Sequence, residues 1–382
     1  MPLSRILFAL LVVGSVVGAA HRYLWLRLVH DLQIPQPWAS GLAVAIGVGY
    51  VLLFAGLFAT RLAPRKVSQP LGWVSYTWLG LFGLLLTGVV ASDVVHLLAA
   101  GTIWASGAVV DPAHQLLWTR WLGGGVALVA LGSGAYGVWS ARGRIPVVDV
   151  QIPLKGLARP YTLVQVSDVH VGPTIGQGFI ADMVASINGA QPDAVVITGD
   201  LVDGSVAELR AHVAPLADLK ARDGVYFVTG NHEYFSGADA WCAHLGTLGV
   251  QVLRNRRVDL GVLQLAGVDD RVGRGYGHGH GQDIPRAIAG RDPRRPLVLL
   301  AHQPKSAPEA ASLGVDLQLS GHTHGGQLLP FAPLTKLQQG FVAGLYKVEQ
   351  MILYVSRGTG YWGPPMRVGA PPEITRLALV PA

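Results

Sequence analysis

Five short polar motifs in the second half of the chain carry side chains of the types that bind divalent metal ions. They are Asp168-Val169-His170, Gly199-Asp200-Leu201-Val202-Asp203, Gly230-Asn231-His232-Glu233, the single His302, and Gly321-His322-Thr323-His324. The motifs offer carboxylate, amide and imidazole groups but no thiolate, which argues against a closed structural zinc site. This mixture of donors suits Mn, Fe, Zn or Co. Two such ions about 3.5–4 Å apart can hold both the attacking and the leaving oxygen of a phosphoryl group.

Each motif directly follows a short apolar run that predicts a buried strand. The five runs are residues 163–166, 194–197, 225–228, 297–300 and 315–319. Ligands of an open α/β sheet gather at the carboxyl ends of its strands. We therefore expect the five motifs to meet at one edge of the folded domain.

Between and after these runs, the sequence alternates predicted helices with further strands. A period-2 pattern at Val148, Val150 and Ile152 predicts a half-buried strand. Helices are predicted over residues 178–189, 206–219 and 238–246, and their placement between strands implies crossovers and a largely parallel sheet. Later strands, predicted near residues 258–265, 341–348 and 351–355, suit a second sheet. The expected fold is a sandwich of two sheets with outer helices.

The order of the motifs resembles the calcineurin-like metallophosphoesterase superfamily over roughly residues 145–382. The stretches 321–327 and 358–365 resemble a bacterial membrane-associated branch, which includes phosphodiesterases and a diacylglucosamine pyrophosphatase type of lipid A synthesis. The resemblance implies an α/β/β/α sandwich that holds two divalent metal ions, with Mn, Fe or Zn as candidates. Its ligand pattern assigns one ion to Asp168, His170 and His324 and the other to Asn231, His302 and His322, with Asp200 bridging them.

The spacing within the motifs suggests how these ligands are directed. Alternate residues of an extended segment point the same way, so Asp168 and His170 are expected to share one ion. His322 and His324, at a strand-end turn, are expected to reach both ions.

The resemblance gives other residues roles in proton transfer. It makes His232 the acid that protonates the leaving oxygen, and histidine suits this role because its ordinary pKa of about 6.5 lies near working pH. Asp203 and Glu233 are expected to hold imidazoles in the correct tautomer.

Two further pairs of residues keep two interpretations each. Arg357 and Arg367 either clamp phosphate or are ordinary surface arginines. Tyr361 and Trp362 either form an apolar lip for an acyl chain or a base, or pack in the core.

The first 144 residues are expected to form a transmembrane helical region. Hydrophobic residues make up 51% of the chain, charged residues 14%, and the mean hydropathy of +0.40 is too high for an ordinary soluble enzyme. Four segments, 6–28, 38–60, 72–92 and 121–140, reach the length of about 20 apolar residues that spans a bilayer. The first segment could instead be a cleaved signal peptide, since Arg5 precedes it and Gly18-Ala19-Ala20 lies near its end. The predicted domains are therefore 1–144, with about four spans, and 145–382, the metallophosphoesterase domain.

Lysine and arginine flank the spans mostly on one side, which predicts a cytoplasmic catalytic domain on a bacterial inner membrane. Residues 94–110 leave this open, because they could extend the third span, lie at the interface or form an extra crossing. An extra crossing would place the domain outside. Asp93 and His96 share one helix face, and we favour a structural, interfacial position for them over a functional one.

The net charge of +6 and the pI near 9.5 indicate either an anionic binding partner or basic loops exposed to solvent. The basic clusters 254–257 and 291–295 favour anionic lipid headgroups over nucleic acid, with solvated loops as the equal alternative. The single Cys242 excludes an internal disulfide and is expected to be buried. The glycine-rich loop 273–281, with His278 and His280, is expected to be disordered rather than a guard of the site or a weak metal site.

These observations lead to one principal hypothesis and two alternatives. The principal one is an integral-membrane phosphoesterase with two metal ions, acting on a phosphodiester or pyrophosphate bond of a lipid or envelope precursor. The first alternative keeps this chemistry for a soluble nucleotide, with the lipid bilayer only an anchor. The second is a non-catalytic sensor of metal or phosphate, against which the presence of His232 argues.

Overall fold

The protein is described here by a computed structural model that covers residues 3–382. The chain forms two compact units. The first extends to Trp139 and also contains Gly363–Met366, and the second comprises Ser140–Trp362 and Arg367–Ala382.

The first unit is built from long apolar helices. They are α1 (Leu3–Trp25), which continues as a π-helical turn over Leu26–His30, then α2 (Trp38–Leu62), α3 (Arg65–Ser106) and α4 (Pro112–Arg142). All four are long and apolar enough to cross a membrane. The 42 residues of α3 span about 63 Å at 1.5 Å per residue, twice the thickness of a bilayer core. Residues 94–106 thus belong to the third helix, and residues 107–110 lie beyond its end.

Asp93 and His96 are satisfied inside the helical unit. Asp93 accepts hydrogen bonds from the Tyr23 hydroxyl and from Arg27, whose Nε lies 3.1 Å away. His96 contacts the Ser92 carbonyl at 2.9 Å and Thr119 at 3.3 Å. These contacts agree with a structural position for both residues, because they join α3 to its neighbours.

The first sheet of the second unit has six strands in the order β1-β12-β2-β3-β4-β5. Their bounds are β1 Val147–Leu154, β2 Tyr161–Val166, β3 Ala194–Ile197, β4 Val225–Phe227, β5 Val250–Val252 and β12 Ile374–Pro381. The four strands from β2 to β5 are parallel. Strand β12 is antiparallel to β2 and parallel to β1.

The second sheet also has six strands, in the order β10-β11-β9-β8-β7-β6. Their bounds are β6 Arg256–Asp259, β7 Gln264–Gly267, β8 Leu297–Leu300, β9 Leu317–Ser320, β10 Gly344–Val348 and β11 Met351–Val355. Strands β7, β8, β9 and β11 are parallel, and the outer strands are antiparallel to their neighbours.

The predicted sandwich is confirmed by how alternate strand residues are buried. In β2, Leu163 faces the core between the two sheets, whereas Val164 and Val166 face the helices on the outer side. The first sheet is covered by α5 (Gln177–Gly189), α6 (Val206–Val213) and α8 (Ala238–Thr247), and the second by α9 (Ile284–Ile288) and α10 (Ala307–Ser312). The layers are therefore α/β/β/α.

One predicted strand is wrong. Residues 258–265 do not form a single strand. They comprise the end of β6, the turn of a hairpin and the start of β7. The Leu260 N–H donates to the Leu263 carbonyl at 3.0 Å, and Gly261 has a φ of 77°. Glycine adopts that left-handed conformation without the steric cost of a side chain, so the chain reverses there.

Candidate metal centre

The five motifs meet where parallel strands end. Asp168 follows β2, Asp200 follows β3, and Asn231 begins α7 (Asn231–Ser236) just after β4. His302 follows β8 in the second sheet, and His322 follows β9. Each apolar strand fixes the position of the polar residues after it, so the site lies where both sheets present their carboxyl ends.

Asp168, His170 and His324 form the first cluster. Their ligand atoms all lie within 4.8 Å of one another, and all three residues are buried. The His170 Nε2 and His324 Nε2 atoms are 3.1 Å apart, and His324 Nε2 lies 3.6 Å from Asp168 Oδ1.

Asp200, His302 and His322 form the second cluster. His302 Nε2 lies 3.1 Å from Asp200 Oδ2 and 3.2 Å from His322 Nδ1. Asp200 Oδ2 is also 3.9 Å from His170 Nε2 of the first cluster. The Asp200 carboxylate therefore lies between the two clusters.

The tautomers leave metal-binding nitrogens facing into both clusters. Carboxylates and carbonyls only accept hydrogen bonds, so the proton of His170 is on Nδ1, 2.9 Å from Asp203 Oδ1. By the same argument His302 carries its proton on Nδ1, 2.8 Å from the Thr198 carbonyl. For His170 this leaves Nε2 available to bind a cation. His302 Nε2 lies 3.1 Å from Asp200 Oδ2 and has to lose its proton before it can bind one. Nitrogens 3.1–3.2 Å apart suit an ion at about 2.0–2.1 Å from both.

Asn231 supplies a further sign that the residues fit cations. Its side-chain Oδ1 is buried and has no hydrogen-bond partner among the described residues. A buried polar oxygen without a partner is costly, and a cation beside it removes that cost. The donor set of two carboxylates, one amide and four imidazoles thus fits a pair of divalent ions.

Burial and charge oppose each other in these clusters. Burial raises the pKa of Asp168, because the nearby imidazoles only partly replace the lost solvation. Burial also disfavours charge on Asp200 and His302, but their mutual attraction lowers the pKa of Asp200 and raises that of His302. Protons and metal ions compete for these nitrogens, since a ligand imidazole must be neutral.

The backbone of the motifs differs from the extended segments that we expected. Asp168, His170, Asp200, His322 and His324 all have positive φ values, between 51° and 69°. This left-handed conformation is uncommon for residues other than glycine and costs of order 1–3 kcal/mol each. The expected alternation of side chains along an extended segment was therefore wrong. Left-handed turns direct these side chains toward the clusters.

Gly321 allows a close approach between the first and the fifth motif. A Cβ atom at this position would overlap Ser167 and the Asp168 carboxylate. With glycine there, the His322 N–H donates to Asp168 Oδ1 at 2.8 Å and joins the first motif to the fifth.

His232 lies beside both clusters without joining the nitrogen pairs. Its Nδ1 is 2.6 Å from Asp203 Oδ1, and its Nε2 is 4.0 Å from Asp200 Oδ2. Burial lowers the pKa of His232, but the hydrogen bond to Asp203 and the charges of Asp200, Asp203 and Glu233 raise it to about 9. These carboxylates therefore favour the protonated form of the ring.

Asp203 connects His232 to the first cluster. One oxygen, Oδ1, accepts from Nδ1 of His170 and from Nδ1 of His232. Burial raises the pKa of Asp203, but the two imidazoles outweigh it and lower the pKa to about 2. The carboxylate is thus charged and accepts a hydrogen bond from each ring.

Glu233 acts differently from the expectation. Its buried carboxylate accepts hydrogen bonds from the backbone N–H groups of Gly230, Asp200, Leu201 and Val202. Among the described residues it bonds no imidazole. It therefore fixes the loop that carries Asp200. Its bond to the Gly230 N–H is the glutamate half of a capping box. Gly230 has no side chain to supply the other half, so the sequence pattern S/T-x-x-E is not complete here.

The two arginines are engaged within the protein. Arg367 is completely buried, and it donates from Nε to the Gly360 carbonyl at 2.9 Å and from an NH1 group to the His324 carbonyl at 2.7 Å. Arg357 pairs with Glu373 through its Nε at 2.6 Å. Arg367 thus supports the turn at His324, so both the clamp and the surface interpretation are wrong for it. No local sequence pattern indicates this contact.

The two aromatic residues have different surroundings. Tyr361 is buried in the core and donates to the Thr174 carbonyl at 3.3 Å. Trp362 is 56% exposed, and its ring centroid lies 5.6 Å from that of His232. Phe235, 64% exposed, lies 5.5 Å from the same imidazole. Trp362 and Phe235 therefore flank His232 at the surface.

The loop with His278 and His280 does not join the clusters. Residues Arg271–Tyr276 form a 3-10 turn, so this part of the loop is ordered, contrary to the prediction. His280 Nδ1 lies 2.8 Å from an Arg254 nitrogen, and its Nε2 lies 3.6 Å from Asp239. The described groups that could bind metal lie in the five motifs.

Comparison with known proteins agrees with this architecture. Residues 161–326 match the family model described as calcineurin-like phosphoesterase, a superfamily of typically metal-dependent hydrolases. The chain belongs to this family of metallophosphoesterases. It is 33% identical to a transmembrane protein with metallophosphoesterase domain from Danio rerio, over 99% of this chain and 90% of that protein. A protein of the same description from Bos taurus is 35% identical, over 98% of this chain and 90% of its own length. A metallophosphoesterase of Helicobacter pylori is 39% identical over 67% of this chain and 70% of its length.

Proposed function

We propose that this protein is an integral-membrane phosphoesterase that uses two divalent metal ions to hydrolyse a phosphodiester or pyrophosphate bond. The observation that carries the proposal is the pair of adjoining clusters, with Asp200 Oδ2 of the second 3.9 Å from His170 Nε2 of the first, beside the Asn231 oxygen that has no partner among the described residues. A structural metal site needs only one closed set of ligands. Two adjoining clusters beside a protonated histidine suit catalysis.

Each cluster would hold one ion. Asp168, His170 and His324 would hold the first, and Asn231, His302 and His322 the second, with Asp200 contributing to both. When bound, the ions supply positive charge that stabilises a phosphoryl transition state and lowers the pKa of water. The choice among Mn, Fe and Zn follows from availability more than from this donor set.

His232 would donate a proton to the leaving oxygen. Its Nδ1 is held by Asp203, so its Nε2–H points away from that carboxylate toward the Asp200 side of the site. The side chain is 15% exposed, so a substrate can reach it. Asp203 orients the ring and stabilises its charge, and thereby keeps the acid protonated.

The substrate would be lipid-linked or part of an envelope precursor, because the four membrane-length helices keep the domain close to a bilayer. We also propose that the domain lies on the cytoplasmic side of a bacterial inner membrane. The excess of lysine and arginine on one side and an even number of apolar helices support this topology. Nucleic acid is not an expected partner.

A second candidate is a membrane-anchored nucleotide phosphodiesterase. It is favoured by the exposed rings of Trp362 and Phe235 beside His232, since nucleobases stack on aromatic side chains. The two candidates share the metal chemistry and differ only in what flanks the phosphate.

Hydrolysis of bis(p-nitrophenyl) phosphate by the purified full-length protein with added Mn tests the proposal. Wild type should be active, and Asp200→Ala and Asn231→Ala should lose essentially all activity. His278→Ala is the matched control, because this exposed histidine lies outside both clusters, and it should retain the wild-type rate. Equal rates in all four proteins would exclude the proposed phosphoesterase activity.

A further inference from the structure

The helix that follows the last metal-binding motif exposes its leucines at the protein surface. In α11 (Ala332–Gln339), Leu334 is 62% exposed and Leu337 is 85% exposed, whereas the polar Gln339 is buried. Leu334 and Leu337 are three residues apart and share one face of the helix. Leu329, just before the helix, is 63% exposed. Such an arrangement leaves an apolar surface without a partner among the described residues.

This apolar surface is fixed rigidly to the candidate metal centre. Gly326, two residues after His324, has a φ of 84°, and a Cβ there would lie 2.7 Å from the Cα of Ala332. Only glycine lets the first residue of α11 approach the turn this closely. A displacement of α11 therefore acts directly on the backbone that carries His324.

The segment before α11 is hydrogen-bonded to Trp362, one of the two aromatic residues beside His232. Gln327 accepts from the Trp362 N–H at 3.0 Å and donates to the Trp362 carbonyl at 2.9 Å. The Leu329 N–H donates to the Val368 carbonyl at 2.8 Å. The segment from Gln327 to Leu329 thus connects α11 to Trp362, at the mouth of the site.

The stretch of chain around α11 carries lysines but no acidic residues. Residues 317–348 include Lys336 and Lys347 but no aspartate or glutamate. Both lysines are exposed, and in the sequence of α11 Lys336 directly precedes Leu337. Exposed leucines with flanking lysines are typical of helices that lie in the surface of an anionic bilayer.

We propose that Leu329, Leu334 and Leu337 insert into an anionic lipid leaflet, and that the site accepts a phosphoester whose lipid part stays in that leaflet. The substrate class rests on the phosphoesterase function proposed above. The four helices that are long and apolar enough to cross a membrane would keep the domain at a bilayer, which is why a lipid leaflet is the proposed partner of this surface. Trp362 and Phe235 then contact the part of the lipid next to the phosphate.

A fluorescent probe tests the insertion in the full-length protein. The single cysteine is removed by Cys242→Ala, and Leu337→Cys is labelled with the environment-sensitive dye NBD. In nanodiscs of phosphatidylcholine and phosphatidylglycerol the emission should shift to shorter wavelength, and lipids with a nitroxide on the acyl chain should quench it. Lys220→Cys, at an exposed position elsewhere in the domain, is the control and should show neither effect. Identical spectra at both positions would overturn the insertion, and this result is also the one expected if the surface binds a protein.

Kinetics test the substrate class. The full-length protein in the same nanodiscs is given a diacylglyceryl p-nitrophenyl phosphodiester or, separately, soluble bis(p-nitrophenyl) phosphate. The Leu334→Ser/Leu337→Ser variant should show at least a tenfold fall in the ratio of lipid to soluble turnover. An unchanged ratio, or a wild-type protein active only on the soluble ester, would overturn the lipid inference and leave the phosphoesterase proposal standing. A wild-type protein inactive on both esters would overturn the phosphoesterase proposal itself.

Discussion

Replacement of Asp203 by asparagine tests how one carboxylate supports two parts of the site. The Oδ1 atom of Asp203 lies 2.9 Å from His170 Nδ1 and 2.6 Å from His232 Nδ1. The amide oxygen of asparagine is neutral, and its NH2 group cannot accept from either ring. The substitution therefore weakens two charge-assisted hydrogen bonds with little change in volume.

The expected magnitude follows from these contacts. Loss of a carboxylate that orients a ligand histidine typically costs about 10–100-fold in metal affinity or activity. The pKa of His232 is raised from 6.5 to about 9, which corresponds to roughly 3 kcal/mol at 1.36 kcal/mol per unit and is shared among Asp203, Asp200 and Glu233. The acid therefore also becomes less protonated at neutral pH. We expect at least a 100-fold loss of kcat on esters with poor leaving groups.

The assay is a metal titration of the full-length protein, followed by rates on aryl phosphodiesters whose leaving groups become progressively worse. In Asp203→Asn the half-saturating Mn concentration should rise, and at saturating Mn the loss of rate should grow as the leaving group worsens. Asp239→Asn is the control, because this carboxylate is 69% exposed and pairs with Arg254 outside the site. If Asp203→Asn titrates like wild type and loses rate equally on all esters, the assignment of Asp203 is wrong.

Three other substitutions have distinct expected results. His232→Ala should keep both metal ions, measured by elemental analysis, and lose about 10²–10⁴-fold on poor leaving groups but less on good ones; loss of metal would contradict the role of acid. Asn231→Ala should bind one equivalent of metal less than wild type, and unchanged stoichiometry would remove Asn231 from the ligand set. Trp241→Ala should destabilise the second unit by about 3–5 kcal/mol in detergent, because this ring is fully buried and its N–H donates to Gly204 at 2.8 Å. Trp104→Ala, with 87% exposure, should leave the unfolding midpoint unchanged.

Much of the fold could be predicted because burial leaves a regular signal in the sequence. The runs before Asp168, Asp200 and His302 are apolar on both faces, as strands between helices and a second sheet must be. Parallel strands bring their carboxyl ends together, so the meeting of the motifs followed from their positions after these runs. The long apolar helices could also be predicted, because a helix that spans a bilayer requires about 20 apolar residues.

Other features depend on tertiary contacts that leave no local pattern. The left-handed backbone at Asp168 and His324 is held by neighbouring loops, and aspartate or histidine in a sequence does not indicate a positive φ. Arg367 is buried where it donates to the His324 carbonyl and to two carbonyls of the segment from Arg357 to Gly360, far from His324 in sequence. The hairpin at Gly261 was missed because Leu260, Val262 and Leu263 continue the apolar character of the strands on either side.

The position of β12 has a consequence for how the protein is made. This strand, Ile374–Pro381, lies between β1 and β2, so the first sheet stays incomplete until the ribosome has added roughly 240 residues beyond α4. At about 5–20 residues per second this takes on the order of 10–50 s. The apolar helices are synthesised well before then, while the first sheet still lacks the strand that joins β1 to β2. We therefore expect the proposed metal centre to form late, after β12 has completed the sheet.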